Sequence, residues 1–393
     1  MGDLMKIFNT RTGSKEDFIP QDPFEVKAYV CGPTVYDLCH VGHARTYINF
    51  DVLKRYLISL GYRVTHVQNF TDIDEKIDQR AKKEGLSPRE VAERFIREYF
   101  FDMDSLNVMR ATKYTRASEY VPKIIKITER LLELGYAYRS GNTIYFDVEA
   151  AGGFGELVKD LKETIVGEIR VQGKRGPFDF VLWRVTGEGF DSPFGRGVPG
   201  WHTECVAMSM DTLGETLDIH WGGKDLIYPH HECESLIAKA LTGKRFVRYW
   251  VHNDFVLIEG EKMSKSSGGK AYIRDILKKY PAEVLRTWIL RSNYRTKIEY
   301  SEESLEEARV LYEKMRKAAA KSRGKEEMGQ CAKDFAATFM SALDDDLETG
   351  EALSAVEELS DLILEREVEG AWRIFSLVET ILGIKLNTLH ENG

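Results

Sequence analysis

Three groups of residues have types and spacings that could do chemistry. His40 and His43 stand three apart in His40-Val41-Gly42-His43, where a strand-like run gives way to a helical one. A helix N-terminus presents unpaired N–H groups and a partial positive charge, so imidazoles there could donate to a triphosphate, and Gly42 would let it approach. Far downstream, Lys262-Met263-Ser264-Lys265-Ser266 runs into Ser267-Gly268-Gly269. Two ammonium groups in such a loop could offset charge developing at a phosphorus under attack. The third group is Cys31, Cys205, His230 and Glu234, which are two thiols, an imidazole and a carboxylate. His230 and Glu234 are four apart and so share a helix face. Each group also has an ordinary structural reading. The histidines could simply open a helix, the lysine loop could be a solvated surface loop, and the cysteines could be small buried apolar residues.

These groups need a scaffold, and the sequence supplies an α/β one. Lys27–Cys31 reads as a strand, followed by the Gly32-Pro33-Thr34 turn. A helical pattern then runs from Arg45 to Leu60 and stops at Gly61, and Val64–Asn69 is a second strand. Strand, glycine turn, helix, strand is the unit of an open parallel sheet, which binds ligands at the carboxyl ends of its strands. Helical patterns follow at about 87–107 and 116–134. From 136 to 200 short strands and glycines suggest an insertion between two halves of the sheet. Leu217–His220 and Val251–Ile258 are expected strands of the second half, with a helix at about 230–242 between them. Beyond Tyr300 the pattern is helical. Ser301 suits an N-cap, but Ser304 stands where a capping box would carry Glu or Gln, so a full box is not expected.

Bulk properties bound the rest. The chain has 393 residues, enough for two or three domains, and a net charge of −8. After residue 300 there are 11 Lys/Arg against 21 Asp/Glu, a poor match for a phosphate backbone. No apolar run is long enough to cross a membrane, and the start lacks a signal-peptide pattern. Five scattered cysteines argue against a disulfide framework and for the cytoplasm.

The two phosphate-handling motifs, in this order around a split sheet, resemble the signature motifs of class I aminoacyl-tRNA synthetases. Cys31-Gly32-Pro33-Thr34-Val35-Tyr36-Asp37, Trp201-His202-Thr203-Glu204-Cys205 and His230-His231-Glu232-Cys233-Glu234 are similar to the zinc-bearing segments of cysteinyl-tRNA synthetases. Asn69 to Lys76 and Phe178 to Trp183 match that family as well. The resemblance spans roughly residues 6–385. It implies a Rossmann-like catalytic domain at 1–300, with an inserted subdomain at about 112–200 and a stem-contact region at about 251–300. A helical bundle at 301–393 would follow, resembling the anticodon-stem domain. It also implies adenylate formation from cysteine and ATP with Mg2+, then transfer to tRNA(Cys), by a cytoplasmic monomer holding one zinc ion.

Residue by residue, the resemblance makes Cys31, Cys205, His230 and Glu234 the zinc ligands, and His40, His43, Lys262 and Lys265 the catalytic groups. Gly32, Thr71 and Trp201 would line the cysteine pocket. His40, Gly42, His43, His220, Gly222, Gly223, Asp225 and Lys265 would contact ATP. Zinc is a physically sensible selector, because it binds a thiolate firmly and a hydroxyl poorly, whereas an apolar pocket rejects serine weakly. Three departures from the family pattern stand out. Trp221 replaces a small residue and could crowd or restack the adenine, Gly269 replaces an Asn, and the usual C-terminal domain does not follow the bundle. The last leaves open a ligase joining cysteine to a small amine, and a rival of a different class is a non-catalytic sensor of cysteine or nucleotide built on the same fold.

Overall fold

A computed structural model of the chain describes residues 4–158, 173–258, the backbone of 261–262, 271–322 and 327–386. A small hairpin, β1 (Lys6–Asn9) and β2 (Ser14–Asp17), precedes β3 (Glu25–Val30). Then come helix α1 (Val41–Ser59), strand β4 (Arg63–Phe70), helices α2 (Glu75–Glu84) and α3 (Pro88–Ser105), strand β5 (Lys113–Arg116) and helix α4 (Ala117–Glu133). The strands β6 (Ala137–Ser140), β7 (Thr143–Phe146), β8 (Phe180–Phe190) and β9 (Gly197–Pro199) form a separate antiparallel sheet. The chain returns through α5 (Trp201–Leu213), β10 (Leu217–Gly223), α6 (Glu232–Thr242) and β11 (Val247–Asn253).

The central sheet is parallel throughout, in the order β11-β10-β3-β4-β5. This is the expected Rossmann-like core. Both faces of such a sheet are covered, so its strands are apolar on both sides. Ala28 and Val30 of β3, Ile219 and Trp221 of β10 and Val251 of β11 face one apolar cluster, which includes α1 and α3. Tyr29, Val67 and Trp250 face the other, with α4, α5 and α6. The alternation along β10 overturns the expectation for Trp221. Its ring packs beside Phe50 and Tyr294 on the α1 side, fully buried, so it does not crowd the cleft.

The expected strand at Val251–Ile258 is divided. β11 ends at Asn253, and β12 (Val256–Ile258) joins a second small sheet with β13 (Glu261–Lys262) and β14 (Ile298–Tyr300). Helices α7 (Ile273–Leu277) and α8 (Ala282–Leu290) lie between. The remainder is helical: α9 (Glu302–Lys321), α10 (Gln330–Asp344), α11 (Thr349–Glu365) and α12 (Trp372–Leu377). A full capping box does open α9, against expectation. The Ser301 hydroxyl accepts from the Ser304 N–H at 3.0 Å, and Ser304 Oγ accepts from the Ser301 N–H at 3.1 Å. A serine hydroxyl is enough to complete it. The helices of this segment share one continuous core with α1 and α8.

Candidate active site and metal centre

The cleft lies where β3, β10 and β11 end, with a volume of about 390 Å³. At the end of β3 the Cys31 N–H still bonds to the Trp221 carbonyl at 3.1 Å, and the chain then leaves the sheet at Gly32. A Cβ on Gly32 would lie 1.6 Å from the Asn69 carbonyl oxygen, so no other residue fits there without moving β4. Its N–H donates to Asn69 Oδ1 at 2.8 Å. Gly200 is similarly pressed against Val181, where a Cβ would sit 1.8 Å from the carbonyl oxygen. That close approach sets the entry of α5, which carries Trp201 and, one turn later, Cys205.

Cys31, Cys205, His230 and Glu234 converge behind the cleft wall, all buried, with one potential donor atom from each lying within 4.8 Å of the others. The two sulfurs are 3.9 Å apart, and His230 Nε2 is 2.9 Å from Glu234 Oε1. Burial raises the Cys31 thiol well above its usual range. Cys205 is held at about 6, chiefly by its contact with Cys31. Burial opposes charge on His230 and Glu234 too, yet each stabilises the other, so the imidazole is raised to about 10 and the carboxyl lowered to about 2. His220 lies close to Glu234 as well. The cluster therefore gathers two sulfurs, an imidazole and a carboxylate at one buried point, and a group of this kind can hold a metal.

Further imidazoles support these donors. His220 Nε2 is 2.9 Å from Glu234 Oε2, and His231 Nε2 is 3.3 Å from the Cys31 sulfur. His231 Nδ1 meets His252 Nε2 at 2.7 Å, and His252 Nδ1 meets Thr10 Oγ1 at 2.7 Å. His202 and His230 face each other through their Nδ1 atoms at 2.9 Å. Cys31, His220, His231 and Glu234 make a second compact donor set. The first set adjoins the cleft, which Cys31 and Trp201 line. Trp201 stacks on His230 with centroids 4.1 Å apart and 16° between planes, and stays 43 % exposed.

The phosphate-side residues sit across the cleft. His40 Nδ1 accepts from the Gly42 N–H at 3.1 Å, and His43 Nδ1 accepts from the His40 N–H at 3.2 Å, so the two rings cap α1 reciprocally. Their centroids are 3.9 Å apart. His40, Gly42 and His43 line the cleft, as do Gly32, Gly223 and Asp225. Ala271 and Tyr272 pair with this loop, the Ala271 carbonyl accepting from the Val41 N–H at 3.0 Å, with an isolated bridge between Tyr272 and His40. The Lys262 side chain and Lys265 lie outside the described residues.

Three expected contacts are placed elsewhere. His220 is fully buried beneath the donor cluster, because the residue before the inward-facing Trp221 must point to the opposite face of β10. Gly222 is absent from the cleft wall and makes room for His231, whose Cε1 would be 2.8 Å from an added Cβ. Thr71 is buried behind the wall, with Oγ1 accepting from Asn69 Nδ2 at 3.3 Å. Tyr47, Lys76 and Asp254 also line the cleft, and His202 and His252 flank the donor cluster, with no individual role marked for any of them in the sequence. The alternation of β11 beside β10 was the available signal for His252.

Fold and cleft together define a class I tRNA synthetase catalytic domain. The family model described as the tRNA synthetases class I (C) catalytic domain matches residues 17–310. Among solved structures, Mycobacterium tuberculosis methionyl-tRNA synthetase in complex with methionyl-adenylate superposes with a TM-score of 0.68 at 17% identity, covering 86% of this chain and 82% of that one. The LeuRS-tRNA-LeuAMS ternary complex of Agrobacterium radiobacter gives 0.70 at 12% identity, with 94% and 84% covered. Sequence relatives are more specific. A cysteine-tRNA ligase of Clostridioides difficile is 43% identical over 378 residues, 91% of this chain and 81% of that protein. One of Thermococcus onnurineus is 42% identical over 410 residues, with 97% and 86% covered. The chain belongs to the cysteine-tRNA ligase family, which is a family of ATP-dependent aminoacyl-tRNA synthetases.

Proposed function

We propose that this enzyme activates cysteine with ATP and Mg2+ to cysteinyl-adenylate and transfers it to tRNA(Cys), with one zinc ion per chain selecting the thiol. The observation that carries this reading is the placement of Cys31, Cys205, His230 and Glu234 directly behind a cleft whose opposite side is the His40/His43 helix start. In the first step the cysteine carboxylate attacks the α-phosphorus and pyrophosphate leaves. In the second, a ribose hydroxyl at the tRNA 3′ end attacks the carbonyl and AMP leaves.

His40, Gly42 and His43 receive phosphate oxygens at the N-terminus of α1, while Lys262 and Lys265 offset the charge of the transition state. Gly223 and Asp225 line the adenosine side, and Gly32 and Trp201 the cysteine side. Thr71 acts from behind the wall. Cys31, Cys205, His230 and Glu234 would hold zinc, which when bound supplies affinity for a thiolate over a hydroxyl. Residues 1–300 would be the catalytic unit, with an insertion at about 112–200 and a stem-contact region at about 251–300. The helices of 301–393 would meet the anticodon stem. The reading carries with it a monomer in a reducing cytoplasm, which five unpaired cysteines suit.

Pyrophosphate exchange into ATP tests the activation step. Exchange is expected with cysteine, not with serine, and is expected to stop on zinc chelation. Equal exchange with serine would overturn thiol selection. Charging of bulk tRNA tests the second step: normal exchange without cysteinyl-tRNA would show that the acceptor is another molecule.

A further inference from the structure

Glu232 is fully buried, yet neither the cleft nor the donor cluster uses it. Its carboxylate accepts four consecutive backbone N–H groups from the loop that follows β7. Gly155 and Glu156 donate to Oε1 at 2.7 and 2.9 Å, and Leu157 and Val158 donate to Oε2 at 2.6 and 3.1 Å. Gly155, with φ +144°, supplies the backbone conformation that brings the amides to one point. Charge-assisted bonds of this kind are strong, and losing them would strand the buried carboxylate and the buried Leu157 N–H. Beside this contact, the Phe154 ring meets Tyr228 edge-on, with centroids 5.7 Å apart.

The place of Glu232 in the chain gives the contact its meaning. It opens α6, two residues after His230 and two before Glu234. The preceding turn, Ile227–His231, is irregular, with Tyr228 extended at φ −131°, ψ 133°. Regular helical bonding therefore does not by itself fix where His230 sits relative to Glu234. Residues two apart on a helix project about 200° apart, so Glu232 points away from the donor cluster while Glu234 points into it. The loop grips the start of α6 from the side opposite the metal donors.

We propose that Glu232 is a positioning residue for the metal centre, coupling the loop at Gly155–Val158 to the spacing of His230 and Glu234. This rests on the zinc reading above. The coupling is reciprocal, so metal binding also steadies the loop. Supporting residues around metal ligands typically change metal affinity by about 10- to 100-fold when replaced.

The test uses the full chain and Glu232→Gln, which keeps the volume but leaves a single accepting oxygen. Three readouts are taken: zinc release to a chromogenic chelator, the visible spectrum of the cobalt-substituted protein, and amide hydrogen exchange at Gly155–Val158. Zinc release about tenfold faster in the variant, an altered cobalt spectrum, and faster wild-type loop exchange after chelation are expected. A variant with wild-type release and spectrum would overturn the assignment and leave Glu232 a staple for the loop alone. A wild-type chain that takes up no cobalt would overturn the zinc reading itself, and this proposal with it.

Discussion

On one face of the parallel sheet, Asp346 is buried with its hydrogen bonds filled. It accepts from the Phe8 N–H, the Tyr294 hydroxyl and Arg295 Nε, each at 2.7 Å. Nearby, Asp51 is paired with Arg286 at 2.7 Å and Arg55 at 2.8 Å. On the other face, Cys31, Cys205, His230 and Glu234 are equally buried, but no Lys or Arg ion pair among the described residues reaches them. The first arrangement is complete with protein groups and ties α10 and α11 to the hairpin and to the segment after α8. The second gathers soft and anionic donors whose nearest positive charge is the His230 imidazole, itself a candidate ligand that metal binding must deprotonate. Buried charge is costly unless paired, so the contrast separates a cluster built to hold the fold from one built to hold something else.

The largest expected break in this comparison is Cys205→Ser. Zinc content by elemental analysis should fall from about one per chain towards zero, and cysteine-dependent exchange should be lost. Metal-free stability should fall by about 1 to 3 kcal/mol, the cost of a buried hydroxyl in place of a thiol. Retained stoichiometric zinc would remove Cys205 from the ligand set. Asp346→Asn should do the converse. Urea denaturation should show a loss of about 2 to 3 kcal/mol, allowing for the partial exposure of Arg295, while zinc content stays at the wild-type level. Zinc loss in this variant would mean the two faces are not independent.

A smaller effect concerns His66, which is buried on the Asp346 side beside Phe50 and whose ring nitrogens both lack a hydrogen-bonding partner among the described residues. Burial, and then the nearby Lys54, hold its pKa well below the usual value. The unfolded chain thus binds the proton more readily, so stability from this group is intact above about pH 6.5. It falls by up to about 1.4 kcal/mol per pH unit below that. His66→Phe should flatten this acid limb in denaturation curves at pH 5 to 7. An unchanged slope would assign the acid sensitivity to other groups.

Much of the site was legible because its residues lie in short contiguous motifs at strand ends. Cys31, His40 and His43 follow β3, Gly223 ends β10 and Asp225 lies just beyond it. What the motifs could not convey was the direction each side chain takes. His220 and Trp221 are neighbours in sequence, and strand alternation sends one to the donor cluster and the other to the α1 core. Long-range contacts were also hidden. Nothing in Glu232 announces a loop some 75 residues earlier. Nothing in the acidic run Asp344-Asp345-Asp346 tells its members apart, yet Asp344 accepts from Tyr56 at 2.6 Å, and Asp346 is fully buried. Ser304 shows the same limit at short range, since its hydroxyl does the work assigned to a longer side chain.

The reciprocal cap of His40 and His43 settles the proton inventory at the head of α1. Each ring commits its Nδ1 lone pair to a backbone N–H, so neutral imidazole must carry its proton on Nε2. Both rings are therefore held in one tautomer by the main chain itself. In that tautomer the Nε2–H of each ring lies outside the main-chain cap. Protonating either ring would turn its Nδ1 from acceptor to donor and set it against the amide it now caps. The helix start thereby fixes which ring nitrogen of each histidine is left to meet a ligand.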